Sequence, residues 1–382
     1  SVILAGLALA VGVREGLRRL SHSPTGLAGW VAKRPILALL LFDVLLLAGA
    51  RHLPLPESWR VVSFAVAMCF GRYLWFIAIS LLDRQGTVPR ATGWRFGSWL
   101  PFWIGTATTI TPIPKNGAAL QKIEAKDDRE LAVTMWKGVQ LLIWSLVLIA
   151  LLDLLTYALH GEPGRFTKRL PGLPVLLELP LRDDLFASVA AGARPSPGTM
   201  WMVVLGAFFE ELLRIAAWGH VMIAGARIVG YRALRNTWRP LQARSIADFW
   251  NRYFYYFKEL LVDVFFYPTF LRWFKGRPKM RLFFATVIAA GLGNFLYHFL
   301  KEFELIAEHG LAGALLRYRA YALYGLVLGA AIGVSQLRDR RAKRHWSTPL
   351  FVWVFYALVM VTRPTRPLSE HLTFFSALLG LK

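Results

Sequence analysis

Apolar runs of some 15 to 30 residues alternate along this chain with shorter polar stretches, and within the runs polarity does not switch at every second position. Runs such as Trp59 to Leu82 and Val133 to Leu159 are long enough to cross a hydrocarbon core of about 30 Å. In lipid each backbone amide must be satisfied within its own segment. Unalternating runs of this length are therefore helices and not barrel strands. The pattern predicts an all-α, polytopic integral membrane protein with about nine transmembrane helices. They are expected near Ser1 to Val13, Pro35 to Ala50, Trp59 to Leu82, Val133 to Leu159, Met200 to Tyr231, Arg281 to Leu300, Gly313 to Ser335, Thr348 to Thr362 and Pro367 to Leu381. Ser1 as first residue suggests a natural start further upstream.

Two stretches break the pattern. Trp250, Phe254, Phe257, Leu261 and Phe265 recur at three- and four-residue spacing, interrupted by Arg252, Lys258, Glu259 and Asp263. That is an amphipathic, interfacial segment, which Pro268 is expected to end. The second is Gly97 to Ile110, which charge explains.

The net charge is +22, and 56% of the 382 residues are hydrophobic. Lys and Arg gather in alternate loops. Four loops, Arg14 to Arg34, Arg84 to Arg129, Arg232 to Lys279 and Arg338 to Arg344, hold 27 of them, against 9 in the intervening loops. This positive-inside bias places the first set in the cytoplasm, the N-terminus outside and the C-terminus inside, as in a bacterial cytoplasmic membrane. It also argues against nucleic acid, because no single domain or stripe carries the charge. Basic loops on both sides of Gly97 to Ile110 make that run a re-entrant or shallow segment. The chain is read as one transmembrane domain, 1–382, with an exterior loop over about 160–198 holding one short helix.

Cys69 is the single cysteine, which excludes an intramolecular disulfide and a thiolate metal cluster. No metal-site motif, P-loop or Rossmann glycine pattern is present. Chemistry is expected of polar residues at membrane depth. His298 stands near the end of a span, in GLGNFLYHFL, with Asn294 one turn earlier on the same face. A neutral imidazole takes a proton from a hydroxyl near neutral pH, and an amide orients it or holds an oxyanion. The alternative is a histidine packed on Tyr297 and bonded to a neighbouring carbonyl. Glu210 and Arg214, four apart, are expected to pair.

The segment DFWNRYFYYFKELLVDVFFYP, Asp248 to Pro268, resembles the FWRRWH…WLRDYIYIP stretch of the membrane-bound O-acyltransferase family, and as there a basic loop and a histidine-bearing span follow. TPIPKNGAALQKIEAKDDRELAVTMWKGVQLLIW, Thr111 to Trp144, is similar to the family's GPI(V/D)R…F loop and long helix. The likeness covers about 94–300 and is to the alginate O-acetyltransferase and D-alanyl transfer type. It implies acyl transfer from a thioester to a hydroxyl-bearing polysaccharide, lipid or envelope polymer. His298 would be the general base, and Asn294 or Asn251 would orient donor or oxyanion. Trp250, Tyr297, Asp263, Arg272 and Lys275 would contact substrate. The donor would be acyl-CoA or an acyl carrier protein. Membrane lipid and an extracytoplasmic acyltransferase are the further partners implied. The family's WHG is absent, since Tyr297 and Phe299 flank His298, and a Phe stands near its second polar position. Those departures favour the alternative of a non-catalytic subunit that binds lipid or scaffolds a complex. A transporter is the third reading.

Overall fold

A computed structural model describes residues 122–170, 172–299, 302–337, 348–362 and 366–381, with scattered residues between 26 and 59. The expected spans at Ser1 to Val13, Pro35 to Ala50 and Trp59 to Leu82 and the re-entrant run Gly97 to Ile110 lie outside the described residues, apart from those scattered positions. Where described, the chain is all-helical, without strands.

Helix α1 (Asp128–His160) opens on Asp127, whose carboxylate accepts the Glu130 amide at 2.7 Å, and closes on Gly161 with φ 72°. Glycine is favoured in that left-handed position. A 3-10 turn (Thr167–Arg169) and α2 (Arg182–Ala190) follow, which matches the expected loop with one short helix. Asp153, inside α1, latches this loop by accepting from the amides of Phe166 and Thr167 and from the Thr167 hydroxyl. Helix α3 (Pro197–Ile228) starts on a Ser196 cap. It packs along α1 over the stripe Thr134, Gly138, Leu141 and Ser145. A Cβ on Gly138 would meet the Ala224 carbonyl and Ile228 at 3.0 Å, so the two backbones approach closely. The other face of α1 exposes Trp136, Ile143, Trp144 and Leu146. A helix apolar on both its packed and its outer face suits a bilayer.

Glu210 does not pair with Arg214 as expected. Arg214 bonds Glu211 at 2.7 Å, while Glu210 accepts from the Thr156 hydroxyl at 2.7 Å and lies 3.5 Å from His160 Nε2. The four-residue spacing is sound. Glu210 is turned toward α1, however, where Thr156 satisfies it away from water.

The amphipathic segment is two helices, α4 (Ile246–Tyr253) and α5 (Tyr255–Leu261), broken at Phe254. The loop before it compensates the break. Trp238 N–H donates to the Arg252 carbonyl, Thr237 Oγ1 to the Tyr253 carbonyl, and the Tyr255 and Tyr256 amides to the Asn236 carbonyl and Oδ1. A five-residue π segment, Val262–Phe266, then leads into α6 (Tyr267–Arg272). Pro268 was expected to end the pattern, but it sits in the first turn of α6, where its missing N–H is tolerated, and the helical path runs on to Arg272.

Helix α7 (Pro278–Val287), a second π segment (Ile288–Gly293) and α8 (Asn294–Phe299) form one continuous rod. The run expected from Gly313 to Ser335 is divided at Tyr318 between α9 (Phe303–Arg317), kinked at Gly310, and α10 (Arg319–Leu337). The Tyr318 carbonyl accepts from Tyr321 and Ala322, which starts a new helix there. Helices α11 (Thr348–Met360) and α12 (Leu368–Leu378) complete the chain. Asp128–His160, Pro278–Phe299 and Arg319–Leu337 are long and apolar enough to cross a membrane. Helix α3 is long but carries Glu210, Glu211 and Arg214, and the last two helices are short.

The chain divides into two compact units. The second holds Ala125–Phe295 and Leu316–Lys382; the first holds Leu296–Leu315 among its described parts.

Candidate functional site

In the second unit the two π segments pack on each other. A π turn inserts one extra residue, so helical register shifts there, and such turns recur at functional sites. The small residues of Ile288–Gly293 permit the contact. A Cβ at Gly293 would fall 2.6 Å from the Phe265 ring, and one at Gly291 would lie 3.1 Å from the Gly325 carbonyl. On α10, Gly325, Gly329 and Gly333 recur every four residues and let α7 and the second π segment settle against its backbone.

Asn294 leaves this second π segment only 1% exposed. Its Oδ1 accepts from the Tyr321 hydroxyl at 3.5 Å. The Tyr321 and Tyr324 rings stack at 4.6 Å, and Tyr318 continues the aromatic file at 5.1 Å from Tyr321. An amide held by a phenol inside an apolar wall is a fixed dipole, able to hold a carbonyl or a lipid polar group. The sequence pattern does not single out Tyr321 and Tyr324. Their cue was the four-residue glycine repeat on α10, which marks a close helix crossing.

No protein-family model and no curated protein sequence matches the chain. The reading therefore rests on its own residues.

Trp250 is buried on α4 and meets Phe254 and Phe257 edge-on at 5.7 and 6.0 Å. Asn251, the next residue, is exposed, and no hydrogen bond joins it to Asn294 among the described residues. Asp263 is half-buried in the first π segment. Arg272, at the end of α6, and Lys275, in the following loop, are exposed. In the first unit, His298 is half-buried, 5.2 Å from the ring of Tyr297, which is 1% exposed.

Tyr253, on α4, donates its hydroxyl to the Glu211 carbonyl at 3.3 Å. Burial, and then the Glu211 carboxylate, push its ionisation well above the usual tyrosine range. Tyr256 is raised too, by burial and its neighbour Tyr255. Both phenols stay protonated donors at any physiological pH. Among the described residues no three His, Cys, Asp or Glu side chains gather as a metal site.

Proposed function

We propose that the chain is a membrane-embedded acyltransferase moving an acyl group from a thioester donor to a hydroxyl-bearing acceptor, with His298 as general base. The observation that carries this reading is the order of elements. An amphipathic aromatic segment, a π turn holding Asp263, a basic loop and a rod ending in α8 with Asn294 and His298 follow one another over Ile246–Phe299. That order accords with the likeness to the membrane-bound O-acyltransferases. The imidazole would remove the acceptor proton as the hydroxyl attacks the thioester carbonyl, and would return it to the carrier sulfur as the C–S bond breaks and the free thiol leaves. The buried amide of Asn294 would orient that carbonyl. The exposed cations Arg272 and Lys275 would receive the anionic carrier of the thioester, coenzyme A or an acyl carrier protein. A cytoplasmic position for that loop accords with the basic bias of its composition.

The test uses purified wild-type protein beside His298→Ala with a panel of radiolabelled acyl-CoAs, following thioester loss and label transfer to membrane extract. Loss of a general base is expected to slow transfer by roughly 10²-fold or more. Undiminished transfer by His298→Ala would sink the assignment.

A second reading, a non-catalytic lipid-holding subunit, is favoured by one observation. Asn294 is buried and already accepts from the Tyr321 hydroxyl. A copurifying lipid and the absence of turnover in both proteins would support it.

A further inference from the structure

Within the second unit, a cavity of about 520 Å³ opens between the start of α1 and the end of α3. Its frame is fixed by the close α1–α3 approach at Gly138 and by the Ala125 amide donating to the Gly230 carbonyl at 2.9 Å. Five cations and two carboxylates line it. Both carboxylates are committed. Asp127 caps Glu130, and Glu130 accepts from the Lys126 amide at 2.8 Å and from Arg232 at 2.7 Å. Arg227 forks Nε and Nη2 onto the Ala233 carbonyl at 2.9 and 2.8 Å. The ammonium groups of Lys126 and Lys137 and the guanidinium of Arg129 remain, and among the described residues they meet no acidic partner.

We propose that this cavity binds a phosphate-bearing anion through Lys126, Arg129 and Lys137. Arg129, Val133 and Lys137 recur at four-residue spacing and so share one face of α1. Lys137 stands nine residues into an apolar helix, roughly 14 Å along its axis. Its ammonium is exposed and has no acidic partner among the described residues, so an anion in the cavity would supply the counter-charge. Three cations lining one cavity match a dianion with several acceptor oxygens better than a single carboxylate, and the guanidinium fork fits phosphate. The volume lies in the range of small-ligand sites, too large for a lone halide. Recognition is by side chains, because Asp127 already takes the Glu130 amide of the helix start.

The phosphate can belong to a lipid headgroup or to a soluble phosphate ester, and two arms separate these. Full-length protein in phosphatidylcholine nanodiscs is titrated calorimetrically with inorganic pyrophosphate. In parallel, protein from nanodiscs that also contain phosphatidic acid is examined by native mass spectrometry for retained lipid. The Arg129→Gln/Lys137→Gln variant is expected to weaken binding by about tenfold or more in at least one arm. An equally charge-reduced Lys168→Gln/Arg169→Gln control, in the exposed 3-10 turn away from the cavity lining, is expected to leave it within about twofold. The Arg129→Lys/Lys137→Arg variant keeps both charges and is expected to retain most of the affinity, with thermal unfolding reporting that each protein is folded. Response to pyrophosphate alone assigns a soluble phosphate ester, and retention of phosphatidic acid alone assigns a lipid. Failure of both probes to bind wild type, or equal loss in the control, overturns the proposal. Neither readout requires turnover, so the acyl-transfer reading stands or falls separately.

Discussion

The Phe265 ring lies flat against the backbone at Gly293, where a Cβ would intrude to 2.6 Å of Cδ2 and 2.9 Å of Cε2. That contact joins the two π segments. Gly293→Ala must therefore move either the ring or the rod that ends in Asn294. We expect about 1–3 kcal/mol of destabilisation from overpacking. Adding Phe265→Leu should recover part of it, measured as non-additive shifts in thermal unfolding. Full additivity would show that the two segments do not bear on each other.

Tyr321→Phe removes the hydroxyl on Asn294 while keeping the aromatic file. A stability loss of about 1 kcal/mol is expected. If Asn294 orients substrate, transfer should fall further than stability does, with the loss in kcat and not in thermal unfolding. An unchanged rate beside an unchanged melting temperature would mean that the 3.5 Å contact contributes nothing.

Tyr256 donates to the Leu234 carbonyl at 2.8 Å, and burial raises its ionisation, as it does for Tyr253. A raised folded value means that the native state keeps its proton where the unfolded chain has lost it. The associated stability is therefore complete below pH of about 10 and is lost as pH rises through the folded value. Unfolding followed from neutral to strongly alkaline pH should show this decline. Tyr256→Phe should flatten part of it and lower neutral-pH stability by about 1 kcal/mol. An unaltered alkaline limb would assign the decline to other groups.

Composition and pattern make some of these features legible in advance, and others escape for definite reasons. The run Val133 to Leu159 announces α1, and Asp127 and Gly161 add the capped turns at its ends. The aromatic spacing announces the buried face of α4 and α5. It does not announce the break at Phe254, because the compensating bonds come from Asn236 and Thr237, far outside the window. A π turn leaves almost no trace in a 3.6-residue pattern, since one inserted residue only rotates the stripe. Asn294 stands out as an amide in an apolar run, but its tyrosine partner lies on another helix 27 residues away.

Asp153 provides a local test. Its carboxylate holds two amides and a hydroxyl of 166–167, and Gly164 leaves no room beside it for a side chain. Asp153→Ala should release this loop and cost about 1–3 kcal/mol locally. Trypsin should then cut faster after Arg165, Lys168 or Arg169, with little change in global unfolding. Equal cleavage rates would mean the latch is dispensable.

Glu210 and Glu211 are adjacent, yet their environments separate their expected effects. Glu211 pairs with an Arg214 side chain that is 49% exposed, and pairs of that kind contribute about 0–1 kcal/mol. Glu210 faces α1, where the His160 side chain is 4% exposed and donates from Nδ1 to the Leu179 carbonyl at 2.8 Å. Since a carbonyl only accepts, Nδ1 carries a proton, and Nε2 is the nitrogen turned to Glu210. Glu210→Ala strands the Thr156 hydroxyl and leaves a void against α1. It should destabilise by about 2–4 kcal/mol, against less than about 1 kcal/mol for Glu211→Ala. Thermal unfolding of the two variants side by side decides it. A larger loss for Glu211→Ala would return the pairing to the one that four-residue spacing alone suggests.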